Sequence, residues 1–207
     1  MKDFVIIDGS NIATECRTLP SLVQLKEAVS AFGEEYPKAK LIVVVDGTFE
    51  HRLELEEERI RFKEAESRGE YVVPPAGTIG RGDAFILKMA VKVNAVILSN
   101  DSFQEFHGEN PWLFDSGRLI GGKPVLGIGW IFAERSPVRG PKSRASTAKQ
   151  ISKNQLGQIT EKRVARKRPK GVASSVKKTP KPSPSRRSRA RTKKRTANSY
   201  SSQKPQT

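Results

Sequence analysis

The run Phe4-Val5-Ile6-Ile7-Asp8-Gly9-Ser10-Asn11 decides the fold. Apolar residues follow one another without alternation, and β-branched side chains dominate. Such a run suits a short strand buried on both faces of a parallel sheet. It stops abruptly at an acid and a polar loop. Leu41–Val45 repeats the design and stops at Asp46-Gly47, and Ala95–Leu98 repeats it again before Ser99-Asn100-Asp101. Tyr71–Val73, closed by Pro74-Pro75, reads as a weaker strand, and Gly129–Phe132 as a fifth.

Helical patterns fall between these runs. Ser21 with Gln24 has the form of a capping box, and Leu22, Leu25, Val29 and Phe32 follow at helical spacing. Residues 50–68 are rich in Glu and Arg and predict one helix, with Gly69 as its stop. Asp83 opens another, whose apolar face carries Phe85, Ile86, Met89 and Ala90. Ser102–Phe106 reads as a short fourth helix. The alternation predicts an α/β domain with an open, mostly parallel sheet flanked by helices.

Charge divides the chain in two. Residues 1–134 carry 15 Lys/Arg and 21 Asp/Glu, a net −6. Residues 135–207 carry 23 Lys/Arg and only Glu161, a net +22. Hydrophobic patterning collapses after Arg135, so the expected division is a domain over 1–135 and a disordered Lys/Arg-rich tail over 136–207. Ile151–Val164 is the one stretch of the tail with helical character. A polycation of this kind points to a polyanionic partner, with RNA first and DNA second through the tail. With little aromatic content it should discriminate poorly among sequences.

Cys16 is the lone cysteine and His51 and His107 the two histidines, which excludes a disulfide framework and a His/Cys metal cluster. No stretch approaches the length of a membrane span or a signal peptide, so no membrane partner is expected. A reducing, cytoplasmic location follows, with nucleoid association through the tail as a variant.

In an open α/β sheet, ligands bind beyond the carboxyl ends of the strands. Asp8, Asp46 and Asp101 fall at such ends, and Asp83 starts the helix that leads to the strand before Asp101. Carboxylates gathered there repel one another unless a hard cation neutralises them, and Mg²⁺ suits one or two carboxylates, waters and a phosphate. Metal-dependent phosphodiester hydrolysis is the chemistry this supports. Each acid has a blander reading: Asp8-Gly9 and Asp46-Gly47 as turn dipeptides, Asp83 and Asp101 as helix caps. Ser10, Asn11, Ser99, Asn100 and Ser102 are polar candidates around the site. Arg81, in the Gly-rich loop before Asp83, and Lys88 are candidate phosphate contacts.

Together these motifs resemble the PIN-like NYN family, and in particular its regnase-type ribonuclease branch. The resemblance rests on Asp8-Gly9-Ser10-Asn11-Ile12-Ala13, on Asp83-Ala84-Phe85-Ile86-Leu87-Lys88-Met89-Ala90 and on Ser99-Asn100-Asp101-Ser102, in the family's order. The segments Gly77–Asp83 and Phe103–Gly108 are similar to those of a bacterial, actinobacterial-type group. The resemblance implies an endoribonuclease acting on single-stranded RNA, with Mg²⁺ or Mn²⁺ held by Asp8, Asp83 and Asp101. One departure is Gly82, where the branch often has the first of two adjacent aspartates. Asp46 is the acid placed to compensate, on position alone. Two rival readings are a non-catalytic RNA- or DNA-binding protein with a degenerate site, and a DNA-directed nuclease of the same fold.

Overall fold

A computed structural model describes residues 2–75, 77 and 81–167, leaving aside the side chains of Arg81 and of 158–167. The expected polycation beyond residue 167 lies outside the described residues. Strands β1 (Phe4–Asp8), β2 (Lys40–Val44), β3 (Tyr71–Val72), β4 (Val96–Leu98), β5 (Leu119–Val125) and β6 (Gly129–Arg135) form one sheet in the order β3-β2-β1-β4-β5-β6. All neighbours are parallel except β5 and β6. β1 is central, with Ile6 opposite Ile42 on one side and Ile97 on the other.

The apolar runs are buried on both faces, as their lack of alternation required. Val5 and Ile7 pack with Leu25, Phe32, Val43 and Leu98 on one face of β1. Ile6 packs with Ile86, Ala90, Ile97 and Leu119 on the other. The helices α1 (Gly9–Ala13), α2 (Leu22–Glu35), α3 (Phe49–Arg52), α4 (Glu56–Ser67) and α5 (Arg81–Val93) supply these partners. Two short 3₁₀ turns, Gln104–Phe106 and Pro111–Phe114, follow β4.

Four expectations need correction. Residues 50–68 do not form one helix: the chain breaks after Arg52, and Leu53, in the break, turns into the core. Ser21 does cap α2, its hydroxyl accepting from the Gln24 N–H at 3.3 Å, but the Gln24 amide donates to the Ile12 and Glu15 carbonyls instead of returning to the cap. Asp83 lies in the first turn of α5 and does not open it. Strand β5 was not anticipated because Gly121, Gly122 and Pro124 hide it. Both glycines allow close approach: a Cβ at Gly122 would stand 2.9 Å from the Phe132 ring, and one at Gly121 3.0 Å from the Asn100 side-chain oxygen.

Regular structure also continues past Arg135, where the sequence predicted its end. Helix α6 spans Pro141–Lys167. Pro141 suits a first helical turn, and the Ala, Lys, Gln and Arg that follow are good helix formers. Its docking is polar. His107 Nδ1 shares a 2.6 Å hydrogen bond with the buried Ser143 hydroxyl, and the Gly108 N–H donates to Ser146 Oγ at 3.1 Å. Attachment of this kind leaves no apolar periodicity in the sequence.

Candidate active site

Asp8 ends β1 and is buried, with 6 % of its surface exposed. Gly9 begins α1 because nothing larger fits: a Cβ there would stand 2.7 Å from Val45 Cγ1 and 2.9 Å from the Val44 carbonyl. The glycine is therefore a close-approach residue, where the bland reading had a turn. The next two residues tie β1 to its neighbours on either side. Ser10 Oγ accepts from the Asp46 N–H at 2.8 Å, beyond β2. Asn11 Oδ1 accepts from the Asn100 N–H at 2.8 Å, beyond β4.

Ser99 joins two of the acids. Its hydroxyl donates to Asp8 Oδ2 at 2.8 Å and accepts from the Asp101 N–H at 3.0 Å. Asp101 Oδ1 in turn accepts from the Phe103 N–H at 2.6 Å, which fixes the turn that carries it. Asn100 is fully engaged, donating to Glu15 and the Gly122 carbonyl and accepting from the Gly122 N–H. Ser10, Asn11, Ser99 and Asn100 thus hold strand ends together inside the protein. Ser102 accepts from Arg135 and the Val138 N–H, while Lys88 is exposed on α5. The Arg81 side chain is outside the described atoms.

Burial pushes the Asp8 carboxyl up to about 7. The hydrogen bonds from Ser99 and the Asn11 N–H oppose the rise, and the nearby charges of Asp83 and Asp46 add to it. Asp83 and Asp101 face a common open cavity of about 920 Å³. So Asp8, Asp46 and Asp83 are electrostatic neighbours, and Asp83 and Asp101 share a cavity wall. Among the described residues, no three His, Cys, Asp or Glu side chains stand close enough together to hold one ion.

The donor chemistry nonetheless fits a hard divalent cation. The available groups are carboxylate oxygens, one of them raised toward neutrality chiefly by burial, with its acidic neighbours adding to the rise. Such a cation needs only one or two direct carboxylates. His107 is engaged elsewhere, between Ser102 and Ser143, and Cys16 is exposed.

Arg135 was not anticipated as part of this region. Its guanidinium donates to the Ser99 and Asp101 carbonyls, both at 2.9 Å, and to Ser102 Oγ at 2.9 Å. Burial lowers its pKa, and Asp101 partly offsets that. No local signal marks such a residue, since β6 lies far along the chain from the loop it clamps.

A mostly parallel α/β sheet with aspartates gathered beyond its central strands defines a PIN-like fold. The family model described as Zc3h12a-like ribonuclease NYN domain matches residues 1–120, and the chain belongs to that family of ribonuclease domains. No curated protein matches the sequence. Among solved structures, nuclear protein-only RNase P 2 of Arabidopsis thaliana is similar at 19 % identity and a TM-score of 0.51, over 69 % of this chain and 32 % of that one. A second structure of that protein gives 20 % identity and a TM-score of 0.49, over 66 % and 31 %. This chain therefore spans about a third of that protein's length, and the likeness concerns the fold.

Proposed function

We propose that the protein is a metal-dependent endoribonuclease that cuts single-stranded RNA. The observation that carries this reading is the buried Asp8, raised to about 7 with Asp83 and Asp46 contributing at the carboxyl edge of the sheet. Asp8, Asp83 and Asp101 would hold Mg²⁺ or Mn²⁺, one or two of them directly and the remainder through bound water, and Asp46 adds negative charge beside them. Held by these residues, a hard divalent ion would supply an activated water and neutralise charge on the phosphodiester. Ser99 keeps the Asp8 carboxylate turned toward the site, and Arg135 holds the Asp101 backbone in place. Lys88 and Arg81 contact phosphate. The basic residues beyond 167 tether the enzyme to RNA, and to DNA less selectively, in a cytoplasmic or nucleoid setting.

A second reading, a non-catalytic nucleic-acid-binding protein, draws on one observation: no three ligating side chains converge among the described residues. Incubating the full chain with labelled single-stranded RNA and DNA, with Mn²⁺ or with chelator, separates the two. Endonucleolytic RNA products that require Mn²⁺ and vanish in Asp8→Asn and Asp101→Asn support the enzyme. Binding without cleavage in Mn²⁺ overturns it in favour of the second reading.

A further inference from the structure

The open cavity lined by Asp83 and Asp101 is also lined by Pro141 and Lys142, the first residues of α6. The helix therefore starts at the candidate site and leads away from it. Its docked face is defined by Ser143, buried, and by Ser146, Thr147 and Gln150, half-buried. Two glycines fix this attachment. A Cβ at Gly108 would overlap the Ser146 carbonyl, and one at Gly140 would overlap the Gln104 side-chain oxygen.

At about 100° per residue, Lys142, Lys149 and Lys153 fall within about 40° of one another around the helix. They form one exposed stripe bordering the docked face. From first to last the stripe runs about 16 Å along the axis at about 1.5 Å per residue. Two of its lysines are paired across to the segment after β4: Lys142 with Glu105 at 2.7 Å and Lys153 with Glu109 at 3.2 Å. All four of these side chains are more than half exposed, so such pairs exchange readily for other anions. Glu105 also lines the acidic cavity, and Glu109 lines a second groove of about 320 Å³ that includes Lys88 of α5.

We infer that the Lys142–Lys149–Lys153 stripe is the track along which a single-stranded RNA backbone reaches the acidic cavity. The inference rests on the ribonuclease reading for the identity of the polyanion. Glu105 and Glu109 hold the end lysines in position until phosphates displace them. Lys142 is the junction, because it belongs both to the stripe and to the cavity wall. A backbone on this path meets the positive charge of α6, with Glu105 and Glu109 beside its end lysines, before it reaches the acidic cavity. An ion bound in the cavity is then needed to admit the phosphate there, which separates binding from cleavage.

The test measures binding of a labelled oligouridylate to the full chain in chelator, over a range of salt. The triple variant K142Q/K149Q/K153Q is compared with K26Q/K38Q/K92Q, which removes the same charge from exposed sites outside α6. Neutralising three phosphate contacts should reduce the slope of log K against log salt by about 2, at about 0.7 per contact for a single strand. The control should leave the slope unchanged. E105Q/E109Q should tighten binding by releasing the end lysines. Equal slopes for the two triple variants overturn the track, as does an absence of RNA binding in chelator. Cleavage in Mn²⁺ is scored separately on the unsubstituted chain. Loss of slope without cleavage keeps the track and rejects the enzyme; cleavage with unchanged slope does the reverse.

Discussion

Asp46 stands where a side chain at position 82 would begin: a Cβ built on Gly82 would overlap the Asp46 Oδ1. The carboxylate missing from the start of α5 is thus matched by one arriving from the end of β2. Gly82→Ala should displace the Asp46 carboxylate, which is the free end of a side chain and can swing aside. The thermal midpoint should then move by no more than about 4 °C, the equivalent of about 1 kcal/mol in a chain of this size. Mn²⁺ affinity, read by calorimetry, should fall, and should recover in Gly82→Asp/Asp46→Gly. Unchanged Mn²⁺ binding in Gly82→Ala would remove Asp46 from the site.

The Asp8 carboxyl sets a pH dependence of defined sign. Its value is raised from 3.8 to about 7 in the folded chain, so between these values the folded state binds the proton and the unfolded state does not. Stability without metal is therefore greatest below about pH 4 on this account and is lost as pH rises through 7. A shift of about three units corresponds to roughly 4 kcal/mol. Denaturant melts in chelator at pH 5 and pH 8 should show the loss, and Asp8→Asn should abolish most of it. A wild-type stability that rises between those pH values, with no difference in Asp8→Asn, would contradict the assignment.

Ser99 holds Asp8 and the Asp101 backbone with one hydroxyl. Ser99→Ala leaves the carboxylate count intact but removes the tie. Metal affinity should drop by about 10–100-fold, the usual effect of losing an outer-shell partner. RNA binding in chelator should be retained. If Mn²⁺ titrations of Ser99→Ala overlay those of the parent, the hydroxyl has no part in orienting the acid.

Gly108→Ala tests the docking of α6. The new methyl group would meet the Ser146 carbonyl, which is helix backbone and cannot rotate away. The first turns of α6 should separate from the domain while the sheet remains intact. Hydrogen exchange should speed up over residues 143–153 and stay slow in β1 and β4. Protection over 143–153 equal to that of the parent would show that the helix does not depend on this contact.

By itself the sequence determined the central sheet and the place of the site. Val5–Ile7, Val43–Val45 and Ala95–Leu98 are buried on both faces, with Phe4, Leu41 and Ile42 half-buried where their strands begin, and continuous apolar runs can do little else in a sheet fed by helices. Their acidic endings then fall on one edge, because parallel neighbours align their carboxyl ends. Local spacing also marked the Asp8-Gly9-Ser10-Asn11 motif, though not that Ser10 and Asn11 would join three strand ends. Only the tertiary structure decided which groups meet across distant sequence. The Arg135 clamp, the Ser99 bridge, the fit of Asp46 beside Gly82 and the docking of α6 all depend on chain crossings. Each is a polar contact or a shape match between remote segments, and neither leaves a periodic trace in the chain. That is why α6 read as tail: what fastens it is a few hydrogen bonds and two glycines, where periodicity registers only buried apolar area.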